Sequence, residues 1–377
     1  MKIKFNFYMS YFLFLCLLPH FAYAKIICVD ANAKSGRGNG SCWEKPFIHF
    51  QFALDEAERD PSVTEIWLAD GIYRPNKSYA PKNGKGVEVV GGAMSLSQYN
   101  PGVTESRDAV NYHDKPELYN RFLQTFELVN KIDIYGGFQG QSHPMGGEKT
   151  KNDRSKDITL HQTLLDGNLG DIKVWHVLTA GNDLTLKGIE VKLDRLTIRN
   201  GNANNAPFFP MHYPLNPGEV PIYYHDDGAG LIVFIQSQIE LNQVIFENNK
   251  AIAGGAIFAH DGSTLKISNC LFKNNSAMDG GAIHIRSGGP SELKNISSRV
   301  SQVNIEHCEF IHNFALIGSA LIASDNQDRP PKGLSGPSII IKQCKFANNT
   351  GPQNLNRGDI VALYGAIHVI DSELLGF

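Results

Sequence analysis

The sequence is poor in sulfur and in indole, with six Cys, six Met and three Trp among 377 residues. Beyond its first two dozen residues it has no apolar run long enough to span a bilayer, and nowhere does it hold a block of like charge. Each scarcity excludes something. Without a second long apolar run, no transmembrane helix is expected after residue 24. Without a basic block, nucleic acid is not an expected partner. No P-loop, HExxH, nucleophile elbow or CxxC occurs, so neither a cofactor nor a metal is predicted. His143 and His161 stand alone in sequence and read as structural or solvated side chains rather than metal ligands.

What is present begins with a leader. Lys2 and Lys4 give a positive start, Tyr11 to Leu18 is apolar, and Ala22-Tyr23-Ala24 suits a cleavage site. That is the pattern of a secretory signal peptide, cleaved near Ala24. Lys2 and Lys4 are its only charges. Of 35 Lys and Arg, 33 then face 38 acids, a net charge of −5. The 36 Gly and 18 Pro suit a chain with many turns. Residues 25–377 read as one domain. Five Cys remain in it. Cys28 and Cys42 are candidates for a bridge in an exported chain, and both the bridged and the free state stay open here.

A repeat dominates the second half. Phe246, Phe272, Phe310 and Phe346 are each followed three residues later by Asn249, Asn275, Asn313 and Asn349. Two residues before each Phe stand Val244, Cys270, Cys308 and Cys344. Short alternating stretches precede them: IELNQVIF, LKISNCLF, VNIEHCEF and IIIKQCKF. "VKLDRLTIRNG" fits the same frame with Ile198 in the Phe place. A glycine half recurs at Gly254-Gly255 and Gly280-Gly281, with looser copies at 228–231, 318–321 and 364–367. Alternation at period two means strands. The Phe spacings of 26, 38 and 36 residues mean units that share a frame and differ in their loops.

Short strands, tight corners and a recurring frame predict a parallel β-helix, with rungs over about 190–370. A lone rung buries too little apolar surface to offset the entropy of ordering its backbone, so rungs come in stacks. Inward Phe and Cys columns, left-handed Asn corners carrying an amide ladder, and permissive Gly turns follow. Cys270, Cys308 and Cys344 read as free buried thiols, because stacked rungs hold Cβ atoms about 4.8 Å apart, wider than a disulfide prefers. In the strand after each glycine half, alternation places Ile257, Ile283, Leu321 and Ile367 inside. It places Ile232, Phe258, His284, Ile322 and His368 outside, with Phe234, His260, Arg286, Ser324 and Ile370 two residues on.

The first third reads strand, loop, helix, strand. Phe47, Phe50, Leu54 and Ala57 fall at helical spacing, and this amphipathic helix is expected to close the first rung within a cap of about 25–60. "VDANAKSGRGNGSCWEKPF", "EIWLADGIYRP", "IYGGFQG", "TLLDGN" and "LDRLTIRNGNAN" follow in order. With the F-x-x-N and GGAI units, they resemble secreted bacterial right-handed parallel β-helix repeat proteins. The repeats are similar to those of chlamydial polymorphic outer-membrane proteins. The resemblance implies an all-β, right-handed parallel β-helix at the cell surface or outside the cell, of adhesive or unassigned role. The chain departs from these relatives in showing neither a C-terminal barrel nor a sorting segment. It stops at "GAIHVIDSELLGF", where Leu374 to Phe377 either cap the end or mark a truncation.

Two insertions, about 76–119 and 202–224, carry the remaining aromatic and polar density. "YYHDDG" at 223–228 closes the second. Tyr223, Tyr224 and His260 are the candidate ligand contacts. For an enzyme, Asp226, Asp227 and His225 would join His284 and Arg286, since a polysaccharide lyase or hydrolase needs carboxylates and a base converging on one flank. The outer columns carry no stacked carboxylates. His260, His284 and Arg286 therefore read first as solvated or loop-covered surface. Asp226 and Asp227 read first as turn caps beneath a folded-over insertion. The expectation is an exported binding or adhesion scaffold whose partner is a polysaccharide or a cell-surface protein. The alternative is a lyase or glycoside hydrolase.

Overall fold

The computed structural model of the chain describes residues 24–34, 38–77, 116–181, 188–204, 226–287, 300–325, 336–352, 358–363 and 365–375. Three all-parallel sheets share the described strands. The first runs, in spatial order, Lys25–Val29, Val63–Ala69, Ile132–Phe138, Glu190–Asp194, Gln238–Asn242, Thr264–Ser268, Gln302–Glu306, Ser338–Lys342 and Ala366–Ile370. The second runs from Gly71–Tyr73 through Ile245–Glu247, Leu271–Lys273 and Glu309–Ile311 to Glu373–Leu375. The third runs from Phe126–Leu128 through Leu231–Val233, Ile257–Ala259 and Ile283–Ser287 to Ile360–Ala362. From Val63 to Ala362 each coil gives one strand to each sheet before the next coil lies upon it. That is a right-handed parallel β-helix. Among the described residues no helix is long and apolar enough to cross a membrane.

The register explains why residues recur. Ile198, Phe246, Phe272, Phe310 and Phe346 pair in one unbroken column. The four rings are fully buried and stack in parallel, with centroids 5.2, 4.7 and 4.7 Å apart. Such pairs contribute about 0.5–1.5 kcal/mol each beyond the area they bury. The first sheet adds two inward columns, including Ile239, Leu265, Val303 and Ile339, then Leu241, Ile267, Ile305 and Ile341. One apolar core extends from Ile27 to Phe346.

The corners divide their work between neighbouring residues. The left-handed backbone belongs to Asn248, Asn274, His312 and Asn348, with φ of 54 to 58°. The next residue, not the left-handed one, carries the ladder. Asn249 donates from both its backbone N–H and its Nδ2 to Asn275 Oδ1. Asn275 does the same to Asn313, and Asn313 to Asn349. Each Nδ2 also reaches a carbonyl on the preceding coil, as Asn275 Nδ2 does at Phe246 O. The expectation that one Asn served both needs is thus corrected: a left-handed residue turns the chain and leaves its successor's amide free to face the stack.

At the glycine corner, Gly228, Gly254, Gly280 and Gly318 have φ of 60 to 66°. A Cβ on Gly255 would collide with the Gly281 carbonyl, so here two coils approach too closely for any side chain. Cys270, Cys308 and Cys344 are free and buried. The N–H of Cys270 meets Cys308 Sγ at 3.4 Å, and that of Cys308 meets Cys344 Sγ at the same distance. The neighbouring cysteine sulfurs, and then burial, raise the Cys308 and Cys344 thiols far out of the reactive range.

The final coil corrects one assignment. Ile367 and His368 do not continue the third sheet; they pair with Ile339 and Ile340 in the first. The column of Ile257, Ile283 and Leu321 is continued by Ile360. The sequence around 364–367 resembles the glycine corner only by composition, and Ile370 leaves the Arg286 column with it. Leu374 takes the next place in the Phe column.

At the other end, helix α1 (Phe50–Arg59) places Phe50, Leu54 and Ala57 in the main core. It packs on the first strands of the first and third sheets, with Phe50 and Phe126 centroids 4.8 Å apart. Cys28 and Cys42 form a disulfide. It lies within a second small cluster of Trp43, Trp67, Tyr135 and Phe138 on the outer side of the first sheet.

The ladder makes a differential prediction. Asn275→Ala leaves the buried Asn249 backbone N–H without its acceptor, takes one of the two acceptors from Asn249 Nδ2 and removes the amide donor at Phe246 O, and lowers the unfolding free energy by about 3 kcal/mol. Asn248→Ala adds only left-handed strain, about 1–2 kcal/mol. Urea unfolding of the two variants beside the parent checks the order and the gap.

Candidate functional site

Alternation sends every second residue of the third sheet away from the core, and there the side chains are not solvated. Ile232, Phe258 and Ile322 are each 1% exposed. His260 is also 1% exposed and His284 8%. The sequence had given this column as outward surface, solvated or loop-covered; the structure buries it. Within this column Phe234 stacks on His260, and Phe258 meets both His260 and His284 edge-on at 4.8 and 5.0 Å.

Polar groups from several coils meet in this setting. Arg286 Nη2 donates to His260 Nδ1 at 3.0 Å, its guanidinium lies over the Phe258 ring, and its Nε stands 3.7 Å from Asp261 Oδ1. Since His260 Nδ1 accepts, the neutral ring carries its proton on Nε2. His284 Nε2 bonds Ser324 Oγ at 2.7 Å, and His284 Nδ1 is buried with no hydrogen-bond partner among the described residues. His176 Nδ1 meets Gly228 O at 3.1 Å. Arg286 and Ser324 are paired neighbours on adjacent strands.

The carboxylates join from the glycine corner. Asp227 bridges to Ala253, and Ala253 to Asp279, so the two acids occupy one column two coils apart. Asp226 and Asp227 are both buried. Burial, and then the charge of Asp226, holds the Asp227 carboxyl well above its ordinary range, opposed by Arg286. Burial alone lifts Asp279 to about 6. The imidazoles move the other way. Burial, then the Arg286 charge, lowers His284 to about 3. Burial lowers His176 to about 4 against its bond to Gly228 O. His260 lies well below its usual range, from burial and then Arg286.

Of the sequence candidates, Asp226, Asp227, His260, His284 and Arg286 share this flank. His225, Tyr223 and Tyr224 lie outside the described residues, as do most of both insertions. Sequence reasoning missed Asp261 and His176; Asp279, just before its glycine pair, reads from the sequence as a turn residue. Asp261 follows His260 directly, and Asp279 shares the Asp-Gly pair of Asp227; those were the available signals. Among the described residues no group of three or more His, Cys, Asp or Glu can hold a metal ion.

Two segments of this flank carry further information. Residues 243–260 and 269–286 match the family model of the Chlamydia polymorphic membrane protein repeat. The matched stretches contain the stacked Phe246 and Phe272, the ladder Asn249 and Asn275, and both glycine pairs. They also contain His260, His284 and Arg286, but not Asp226, Asp227 or Ser324. No curated protein and no solved structure matches the chain. In chemical terms, the flank combines neutral imidazoles, one fixed cation and carboxyls that keep their protons to unusually high pH.

The Asp279 carboxyl is therefore expected to titrate near pH 6 when followed by carbon-detected NMR. A midpoint near the ordinary Asp value of about 3.9 contradicts its burial.

Proposed function

We propose that this chain is an exported, surface-exposed β-helix scaffold that binds a glycan or a protein. The carrying observation is the pair of segments matching a polymorphic membrane protein repeat, set within an uninterrupted parallel β-helix. Residue identity in the repeat is spent on stacking: Phe, Asn, Cys and Gly columns hold coils together. A solenoid of this kind presents a long rigid side, and variation between its units lies in the connecting loops. The two long insertions, about 76–119 and 202–224, are the assigned contact elements, with Tyr223 and Tyr224 among them. Binding to a glycan array or to cell-surface proteins is expected to be lost when both insertions are replaced by short linkers. Retention of full binding in that variant contradicts the role of the loops.

One observation favours a second reading, a polysaccharide lyase or glycoside hydrolase. Burial and then the Asp226 charge push the Asp227 carboxyl upward, and Arg286 and the imidazoles share its flank. A carboxyl held protonated beside an acidic neighbour is the arrangement a general acid needs. New reducing ends or unsaturated products from a polysaccharide panel, lost in Asp227→Asn, are what this reading expects. Absence of turnover on the panel leaves the scaffold reading in force.

A further inference from the structure

The polar flank of the third sheet includes a contact that a proton removes. Arg286 Nη2 donates into His260 Nδ1, so a proton on that nitrogen leaves two donors facing one another at 3.0 Å. The ring cannot rotate freely, because Phe234 stacks on it and Phe258 packs against its edge. His284 lies in the same cluster, with Nε2 on Ser324 and Nδ1 buried without a hydrogen-bond partner among the described residues. His176 sits under the Gly228 corner. Behind these groups, the ladder and the Phe stack contain no group that titrates in the acid range.

We propose that this flank opens in mild acid: proton uptake by His260 detaches it from Arg286, and charging the buried His284 and His176 adds to the cost of the closed form, while the first and second sheets stay closed. The charged groups facing the cluster among the described residues are Arg286, Asp226, Asp227, Asp261 and Asp279. The imidazoles have depressed folded values, about 3 for His284 and about 4 for His176. Their contribution is full above the free-histidine value of about 6.5 and is lost progressively as pH falls below it. Asp279, raised to about 6, and Asp227 work in the opposite direction and favour the closed form as pH falls. Three imidazoles outnumber two carboxyls. Protonating those carboxyls also removes counter-charge around Arg286, so each new imidazolium meets a more positive flank.

Hydrogen exchange followed by mass spectrometry on the whole chain tests this. Rates corrected for intrinsic pH dependence are compared at about pH 7 and about pH 4.5. Residues 257–263 and 283–287 are expected to exchange about tenfold faster in acid, while 264–268 and 271–273 of the same coils stay protected. His260→Gln keeps an acceptor for Arg286 but cannot titrate, and is expected to blunt the acid effect. Equal flank protection at both pH values overturns the proposal, as does loss of protection in all three sheets together. The same holds if His260→Gln opens at the parent's pH. Should that variant not fold, the parent's segment-by-segment profile decides alone.

Discussion

Everything in this molecule follows from the hydrogen bonds that one coil makes to the next at a fixed spacing. Parallel strands sit about 4.7–4.9 Å apart. A side chain at a given corner therefore meets its counterpart one coil away at nearly the distance of an aromatic stack or an amide-to-amide bond. Phe272 meets Phe310 with centroids 4.7 Å apart, and Asn275 Nδ2 meets Asn313 Oδ1 at 3.1 Å. A chain under that constraint has a physical reason to repeat itself. A residue that stacks well on its own kind is the one that fits every level.

The same constraint separates architecture from function. Inward columns and corners are fixed by the stack. Outward positions and insertions are free to differ between coils. Beside the third sheet that freedom collects Arg286, three histidines and four aspartates into a flank in which all but Arg286 and Asp279 are buried. Low polarity there pushes carboxyls toward the neutral form and imidazoles away from the charged one. Such a flank costs stability that a purely structural coil would keep. Phe258 and Ile232 show what the plain apolar alternative looks like within the same column.

The stack was legible in the sequence because its period is written in residues that do one job. Phe, Asn and Gly at fixed offsets announce a ring column, an amide ladder and a tight corner. Two features were less legible. The left-handed turn and the ladder fall on adjacent residues, Asn248 and Asn249, and a doubled Asn does not say which does which. His312 fills the first role in one coil, showing that the turn tolerates side chains the ladder does not. The glycine at 365 misled for a related reason. A Gly-Ala-Ile string specifies a corner and a strand start but not which of three sheets that strand joins, and Ile360 had already taken the place. Burial of the outer flank was illegible, since alternation gives a direction from the core and says nothing of what lies beyond. Asp261 and His176 became visible only once coils far apart in sequence were laid side by side.

The most direct measure of the central claim is a double-mutant cycle between Asn275 and Asn313, which are 38 residues apart in sequence and bonded across one coil boundary. Unfolding free energies of the parent, Asn275→Ala, Asn313→Ala and the double variant give their coupling. Stacked coils predict a coupling of about 1 kcal/mol or more, since the second substitution removes a partner already lost. Additive effects, within about 0.3–0.5 kcal/mol, would contradict the ladder and with it the stacking of the coils.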